Sequence, residues 1–529
     1  MNQILVIAWR EITRLRKRFA GASPLVVLLL LSVSGLSAYY LRDTITLGNG
    51  LYRVGVSGDI PLIQDSHFAV MKVGVEEGKI LLDQHAIDIF INGEDVLSRV
   101  DDKSQFAVRA LKRYMENEEL NRIGNSYAED SAFPLRVGIN YLGAGQAAAK
   151  PEQIIIPSIT PPPGPFVQAL TALLYILPIT FISIFFTSSF LDEKINRRLT
   201  ILLSAPITPF QIILGKMLPY ASFALFSTAL IAVLTEANLP LTLIIFAPAT
   251  LFIFAIYLMV PLFYRTFKDI TFIAMLVTTL TTAYMIIPAM FTNVNDFAYI
   301  SPLTLAVKMY RNEPFGWREY LFPSLPMAAI FGLAMFAGTR MLNEEFLIGY
   351  KPLTRKLTDA IYLMLAHSKP AIAVPLWSFL AVPIVYMGQI VFLAFATNLP
   401  AQLILSFTLV ASALFEEMVK AAGILALAEH GVVKSARNVI GLSFLSALGF
   451  LIAEKVLVLL SLSMVSDAPV SGALFGAGLL VFIPLIAHFI FTGIVTWLRT
   501  QLKFSYALAM GTGTLVHFIY NAYVLRGGF

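Results

Sequence analysis

The chain has 529 residues, of which 57% are hydrophobic and only 13% are charged, and its mean hydropathy is +0.75. Soluble globular domains of ordinary composition are far less apolar, so the sequence predicts a membrane protein. The chain has no cysteine, which excludes disulfides, a thiolate nucleophile and a cysteine-based metal site. The formal net charge is +5, but in a membrane protein the placement of Lys and Arg matters more than their sum, so no nucleic-acid partner is inferred.

Apolar stretches that could cross a hydrocarbon core of about 30 Å as helices recur along the chain. We predict an all-α polytopic protein of about eleven transmembrane helices in two bundles, with a small extracytoplasmic α/β domain inserted after the first helix. The predicted spans lie near residues 24–41, 166–190, 217–235, 240–264, 270–291, 322–341, 373–396, 402–427, 439–464, 471–498 and 504–525.

Basic residues predict the orientation of these spans. Clusters of Lys and Arg fall on one side of the membrane, and the positive-inside rule makes that side cytoplasmic. The chain is therefore expected in the plasma membrane, with its N-terminus in the cytoplasm and residues 42–165 outside the cell. The clusters are Arg10 to Arg18, Lys194 to Arg198, Arg265 with Lys268, Lys351 to Lys356, Lys434 with Arg437, and Arg499 with Lys503; the exceptions are Lys308, Arg311 and Arg318.

The predicted spans and the polar segments between them divide the chain into five segments. The predicted external domain contains two strand-like runs, Tyr52–Val56 and Ile87–Ile91, and a helical run, Ser104–Leu120. It ends in the proline-rich stretch Pro157–Pro165. The segments are 1–41 (cytoplasmic N-terminus and first span), 42–165 (external α/β domain), 166–342 (five further spans), 343–372 (cytoplasmic linker) and 373–529 (C-terminal membrane bundle).

Residues 191–216 are predicted to lie on the cytoplasmic side between the second and third spans. Charged residues come first, followed by a leucine-rich amphipathic turn, a proline break and a basic return to the membrane. Such a segment could lie along the interface and be pushed by a cytoplasmic partner, or it could be a simple positive-inside anchor. Its notable residues are Glu193, Lys194, Leu202, Leu203, Pro206, Gly215 and Lys216.

On these residues and on the order of spans, residues 1–345 resemble type-2 ABC exporter permeases of the sodium-extrusion subgroup. The resemblance implies that residues 191–216 contact a separate cytoplasmic ABC ATPase subunit, which would hydrolyse ATP, because this chain has no G-x-x-x-x-G-K-[ST] loop. It also implies a homodimer, since exporters of this type need two permease halves.

The last four predicted spans contain ionisable side chains, which are costly in lipid and therefore indicate function. They are Glu416, Glu417 and Lys420 in the eighth span, Glu454 in the ninth (four residues after Phe450), His488 in the tenth, and His517 in the eleventh, with Asn521 four residues later. Counted from the predicted cytoplasmic ends, the glutamates and histidines lie about 15 to 23 Å deep at about 1.5 Å per residue. Four antiparallel helices would thus bring them to one level.

This set of groups suits hydrolysis of an amide in the membrane. A glutamate in a dry site can act as a general base toward water, and His and Asn can donate hydrogen bonds to a carbonyl oxyanion. Lys420 is expected to neutralise one of the two adjacent glutamates. A structural polar network or a proton relay in a transporter remains an alternative on spacing alone.

The order E-E-x-x-K, F-x-x-x-E, a lone H and H-x-x-x-N over residues 373–525 resembles the PrsW family of intramembrane proteases, relatives of the CAAX prenyl endopeptidases. The resemblance implies that Glu416 or Glu417 activates water, that Glu454 and His488 position it, and that His517 and Asn521 polarise the peptide carbonyl of a membrane peptide or protein. PrsW-type sequences more often end the last motif in Asp, so Asn521 favours an oxyanion-donor role.

The resemblance leaves a bound zinc ion open, with Glu454, His488 and His517 as possible ligands. Taken together, the sequence predicts an exporter permease fused to an intramembrane peptidase. Two alternatives stay open: a C-terminal bundle that only regulates the permease, and a transporter in which the bundle relays protons.

Overall fold

The computed structural model describes residues 3–18, 32, 50–58, 63–123, 139–141, 165–465 and 478–525, except residues 66, 94, 100, 265, 293–295, 312, 350, 397 and 398. Almost all of the predicted first span and of the proline-rich stretch lies outside these ranges. The helices are α1 (Gln3–Arg18), α2 (Val75–Asp83), α3 (Asp102–Ile123), α4 (Pro165–Ile195), α5 (Arg198–Ser204), α6 (Pro209–Leu234), α7 (Leu239–Phe263), α8 (Phe267–Ala289), α9 (Leu303–Tyr310), α10 (Trp317–Met341), α11 (Glu344–Ile348), α12 (Leu353–Leu365), α13 (Pro370–Ala396), α14 (Ala401–Glu429), α15 (Ala436–Val465), α16 (Gly478–Thr500) and α17 (Tyr506–Leu525).

Among the described residues, nine helices are long and apolar enough to cross a membrane, so the chain is a multi-pass membrane protein. They are α4, α6, α7, α8, α10, α13, α14, α15 and α16. These nine correspond to the second through tenth predicted spans. The predicted eleventh, α17, is a helix but is not among the nine, and the number of spans stays a prediction.

Helix α6 starts at Pro209, about two turns before the predicted span at 217. The Thr208 hydroxyl accepts a hydrogen bond from the backbone N–H of Gln211, and the Gln211 side-chain Oε1 accepts one from the backbone N–H of Thr208. This is a capping box with proline at the first helical position. Lys216 lies inside the helix and is fully buried in ion pairs. Hydropathy alone therefore placed the start of this helix too late.

One of two compact units consists of residues 40–173 and 288–314 and contains a five-stranded sheet. The strands are β1 (Tyr52–Ser57), β2 (Phe68–Lys72), β3 (Ile89–Asn92), β4 (Asp95–Ser98) and β5 (Ile139–Tyr141). Their order is β2-β1-β3-β4-β5, and only the β3–β4 pair is antiparallel. The predicted strands and helix correspond to β1, β3 and α3, whereas β2, β4 and β5 were not predicted.

This α/β unit contains two of the basic residues that departed from the charge pattern. Arg311 is 3% exposed, and Lys308 donates a hydrogen bond from Nζ to the Tyr299 hydroxyl at 2.7 Å. Both cations thus belong to the packing of this unit.

The other unit contains the described membrane helices of both halves of the chain. Helix α12, predicted as part of a linker, packs on α7 and α10 from the first half and on α13 and α14 from the second. Helix α10 also contacts α13 and α15 directly. The two predicted bundles therefore pack as one compact unit, because the amphipathic α12 lies against both.

The packing of α2 on β3 makes a testable prediction at Gly78. A Cβ at this position would lie 2.2 Å from the Phe90 ring, so Gly78→Val overpacks the interface and should destabilise the α/β unit by about 1–3 kcal/mol. Hydrogen exchange of the full-length protein should show faster exchange at the β1 and β3 amides. The control Gly74→Ala, where the nearest atom is 4.0 Å away, should leave exchange nearly unchanged; equal effects of the two variants would contradict the packing argument.

Candidate functional site

Four helices of the second half, α14 to α17, carry the ionisable residues named above and contact one another in the structure. Glu417 and Lys420 are fully buried, and His488 and His517 are 8% and 2% exposed. Charged groups at this depth must be paired or hydrogen-bonded, since an isolated one is costly in lipid. The contacts among them fulfil that requirement.

Glu417 is the centre of the cluster and has no free carboxylate oxygen. Its Oε1 pairs with Lys420 Nζ at 2.5 Å and accepts from His517 Nδ1 at 2.9 Å, while its Oε2 accepts from the Thr492 hydroxyl at 2.9 Å. These contacts join α14, α16 and α17. Because a carboxylate only accepts, His517 Nδ1 carries a proton and its Nε2 points elsewhere.

His488 is held from both sides of its ring. Lys420 Nζ lies 3.0 Å from His488 Nδ1, and Glu454 Oε2 lies 3.2 Å from His488 Nε2. An ammonium only donates and a carboxylate only accepts, so the pattern fits a neutral imidazole with its proton on Nε2. Glu454 is also paired with Lys455 at 3.2 Å and is more exposed than the rest of the cluster.

Glu416 differs from its neighbour Glu417 because its carboxylate is partly open. Its side chain is 13% exposed, compared with 0% for Glu417. Gln389 of α13 donates to Oε1 at 2.9 Å, which fixes the carboxylate. Oε2 lies 3.8 Å from Lys420 Nζ and 3.9 Å from His517 Nε2. A separation of this size between two polar atoms is one that a water molecule can bridge.

Aromatic rings pack against the charged groups. Lys420 Nζ lies 4.8 Å from the centre of the Phe450 ring, a cation–π contact, and Phe450 meets the His488 ring edge to face at 5.5 Å. Phe491 stacks on His517 at 4.5 Å. The rings thus orient both imidazoles.

Three residues of the site were not anticipated from the sequence: Gln389, Thr492 and Phe491. Thr492 lies one helical turn after His488 and so shares its face, which is a signal that the sequence carries. Gln389 lies in a different helix from every predicted site residue, and no spacing rule connects it to Glu416.

Asn521 is half-buried, one turn after His517 on α17. Within the described part of the chain, no hydrogen bond joins it to the cluster. Helical periodicity places it on the His517 face, where its amide can donate to a ligand rather than to the protein.

The donor set does not match the predicted zinc ligands. Among the described residues, the group whose donor atoms lie within 4.8 Å of one another is Glu416, His488 and His517, without Glu454. Both nitrogens of His488 are already engaged by Lys420 and Glu454, and the Lys420 ammonium lies beside the same space. A cation there would be repelled and would lack a third protein ligand, so these residues do not fit a zinc site as they stand.

The segment predicted to contact a partner also packs against α1 of the same chain. Lys216 Nζ pairs with Glu11 Oε1 at 2.6 Å and with Glu193 Oε2 at 2.9 Å, and all three side chains are buried. Arg14 of α1 completes the network through Glu193 and Asp192. Burial raises the pKa of Glu11, but Lys216 and a hydrogen bond from Ser189 outweigh it, so the pKa lies below its ordinary value.

Two more residues of the segment have internal roles. Gly215 permits the close approach of α1, since a Cβ there would lie 2.8 Å from Ile7 Cβ and 3.0 Å from the Ile4 carbonyl oxygen. Lys194 donates to three backbone carbonyls, of Pro261, Leu262 and Tyr264, at the end of α7. It thereby caps that helix.

Helix α5 shows which side chains of the segment face outward. Leu202 is 9% exposed and packs inward, and Leu203 is half-buried, whereas Ile201 is 70% exposed and Pro206 is also exposed. Most of the Leu202 side chain thus belongs to the chain's own packing, and its contact with a partner stays a prediction. Ile201 presents the exposed apolar surface of this helix.

Comparison of the chain with protein-family models, curated proteins and solved structures found no match in any of the three.

The buried ion network predicts a large effect of removing its cation. Lys216→Met leaves the Glu11 and Glu193 carboxylates buried without an ammonium between them, which should destabilise the α1 contact by about 3–5 kcal/mol. Limited proteolysis of the full-length protein at the Arg and Lys residues of α1 should then become faster. The triple variant that adds Glu11→Gln and Glu193→Gln removes both charges and should restore most of the protection. Equal cleavage of wild type and Lys216→Met would refute the role of the pair.

Proposed function

We propose that the C-terminal helices hydrolyse peptide bonds within the membrane and that the first half is the permease of an exporter. The observation that supports the peptidase most directly is the 3.9 Å separation between Glu416 Oε2 and His517 Nε2, in a partly open position beside a fully paired Glu417. A water held between these two atoms would contact a carboxylate that can take its proton. Between the two adjacent glutamates, this favours Glu416 as the base and gives Glu417 a positioning role.

The proposed reaction needs only this chain's residues and water. Glu416 removes a proton from the water, whose oxygen bonds to the peptide carbonyl carbon and forms a tetrahedral oxyanion. The Asn521 amide, with Lys420 nearby, stabilises the oxyanion. The carbon–nitrogen bond then breaks as Glu416 returns the proton to the leaving amine. Glu417, Thr492 and Gln389 keep the groups in place, and Glu454 holds His488.

Glu416→Gln provides the sharpest test of this assignment. The substitution keeps the shape of the side chain but removes the base, so cleavage of a panel of labelled transmembrane peptides in proteoliposomes should fall by about 10²–10⁴-fold. Glu345→Gln, at an exposed position of α11, is the matched control and should cleave like wild type. Intact peptides with wild type over the whole panel, or unchanged cleavage by Glu416→Gln, would refute the proposal.

Chelation separates this mechanism from a zinc-dependent one. Because the donor set does not fit a zinc site, we expect cleavage to survive dialysis against EDTA or 1,10-phenanthroline. Loss of activity that returns on addition of Zn²⁺ would show that a metal is required after all and would reinstate the histidines as ligands.

The first half is proposed to couple to a cytoplasmic ATPase subunit through the outward face of α5. The exposed Ile201 follows a basic segment at one end of the membrane helices, which the positive-inside rule assigns to the cytoplasm. We propose accordingly a plasma-membrane location with the N-terminus inside, residues 42–165 outside, and two copies of the chain per exporter.

The absence of cysteine from the sequence makes this contact testable by site-specific crosslinking. A Cys introduced as Ile201→Cys and labelled with a photo-crosslinker should, in membranes of the native host, yield an adduct with an ATPase that has a Walker motif. Leu353→Cys, an exposed leucine of α12, is the control and should yield none. No ATPase in the Ile201 adduct, or equal adducts at both positions, would rule out this coupling surface.

A proton relay is the second candidate function, and one observation favours it. Short contacts run without a break from Glu454 through His488, Lys420 and Glu417 to His517, a chain along which protons could move. Proton uptake by proteoliposomes distinguishes the two functions. A relay predicts uptake that Glu417→Gln abolishes without any peptide cleavage, whereas a peptidase predicts cleavage without uptake.

A further inference from the structure

A large apolar cavity lies between the two halves of the membrane unit. Its volume is about 500 Å³, and it is partly open. Its lining comes from α7, α8 and α10 of the first half and from α12, α13 and α14 of the second, and is almost wholly apolar. The lining includes Phe252, Phe263, Ala334, Trp377, Gly388 and Phe415.

The lining of the cavity restricts what it can hold. Along α7 the lining runs from Phe252 to Phe263, about 16 Å at about 1.5 Å per residue. An extended peptide is disfavoured, because the lining offers its backbone almost no hydrogen-bond partners.

One side of the cavity is formed by the amphipathic helix α12. Ile361 and Met364 line the cavity, as does Leu357, which is 44% exposed, and Leu353 is 42% exposed on the same stripe. The polar side of the helix and its C-terminal end carry the exposed cations Arg355 and Lys369. An apolar slot bordered by a helix with exposed cations matches a molecule with an alkyl chain and an anionic head group.

We propose that this cavity binds one acyl chain of an anionic phospholipid from the surrounding leaflet, with the head group near Arg355. In a membrane the medium at this depth is hydrocarbon, and an apolar space of this size gains dispersion contacts when a chain fills it. The lipid would then be a structural component of the contact between the halves. The proposal does not depend on peptidase activity.

The lipid would also support the wall of the candidate site. A Cβ at Gly388 would lie 2.3 Å from the Phe415 ring, so these two residues are in close contact at the cavity wall. Each is followed directly by a site residue, Gln389 and Glu416, which are hydrogen-bonded to each other at 2.9 Å. An acyl chain packed on Phe415 therefore limits the movement of the proposed base.

Trp377 provides a fluorescent reporter, because it lines the cavity and its Nε1 donates to the Val419 carbonyl at 2.9 Å. Replacing the other three tryptophans, Trp9, Trp317 and Trp497, by Phe leaves Trp377 alone. Titration of this variant in detergent with phosphatidylglycerol brominated on its acyl chains should give saturable quenching. A matched variant that keeps only Trp317, which is 69% exposed, should give quenching that rises without saturation.

Two further arms test the place and the head group. Ala334→Phe fills the cavity and should abolish saturation. Val391→Phe fills it from another helix and should do the same, which covers the case in which the first variant does not fold. The control is Ala328→Phe, at an exposed position on the same helix as Ala334, and it should leave saturation unchanged. Arg355→Gln should weaken binding of phosphatidylglycerol about fivefold and leave brominated phosphatidylcholine unchanged. Unsaturable quenching in the Trp377 variant, or saturation that survives both filling variants, would overturn the proposal. Equal affinity for the two lipids would refute the anionic head group.

Discussion

Pairing of buried charge is the constraint on which both halves of this membrane protein depend. In each half an ammonium lies between carboxylates at a fully buried position: Lys216 between Glu11 and Glu193, and Lys420 beside Glu417 and Glu416. Neither cation could remain charged in lipid without its partners, and neither pair of carboxylates could lie so close without the cation. Lys216 thereby joins α1, α4 and α6, and Lys420 joins α14 to α16 through His488.

The two clusters nevertheless differ in what they leave available. Around Lys216 every carboxylate is buried, and the result is mechanical, since α1 is locked onto α4 and α6. Around Lys420 one carboxylate is saturated by Lys420, His517 and Thr492, and the other keeps an oxygen that faces a histidine nitrogen across a gap. Because Glu416 is less completely bonded than Glu417, the second cluster has a carboxylate oxygen that can take part in a reaction, and the first cluster does not.

The packing of the two halves into one unit gives the proposed activities a physical connection. Helix α12 packs on helices from both halves, and the cavity beside it is lined by both. A movement of α7 or α10 in an exporter would change the shape of that cavity, and Phe415 at its wall precedes the proposed base. Coupling between transport and proteolysis would then pass through a packed contact rather than through a flexible linker.

The sequence by itself determined the membrane class, most spans and the polar residues of the C-terminal site. Long apolar runs and the high cost of charge in lipid are local properties, so they can be read without a fold. The sequence was a poorer guide where ion pairing with distant residues decides whether a charged residue is buried. The start of α6 is an example, because Lys216 was expected at the end of a cytoplasmic segment but lies inside the helix.

Only the tertiary structure decided which of two adjacent glutamates is saturated, that Gln389 belongs to the site, and that Leu202 faces inward. It also replaced Glu454 by Glu416 in the group of close metal-type donors and placed α12 between the halves. The physical reason is common to all of these. Each depends on which group of another helix bonds to a given atom or packs against a given side chain. Helical periodicity gives the face on which a residue lies but not its partner on another helix.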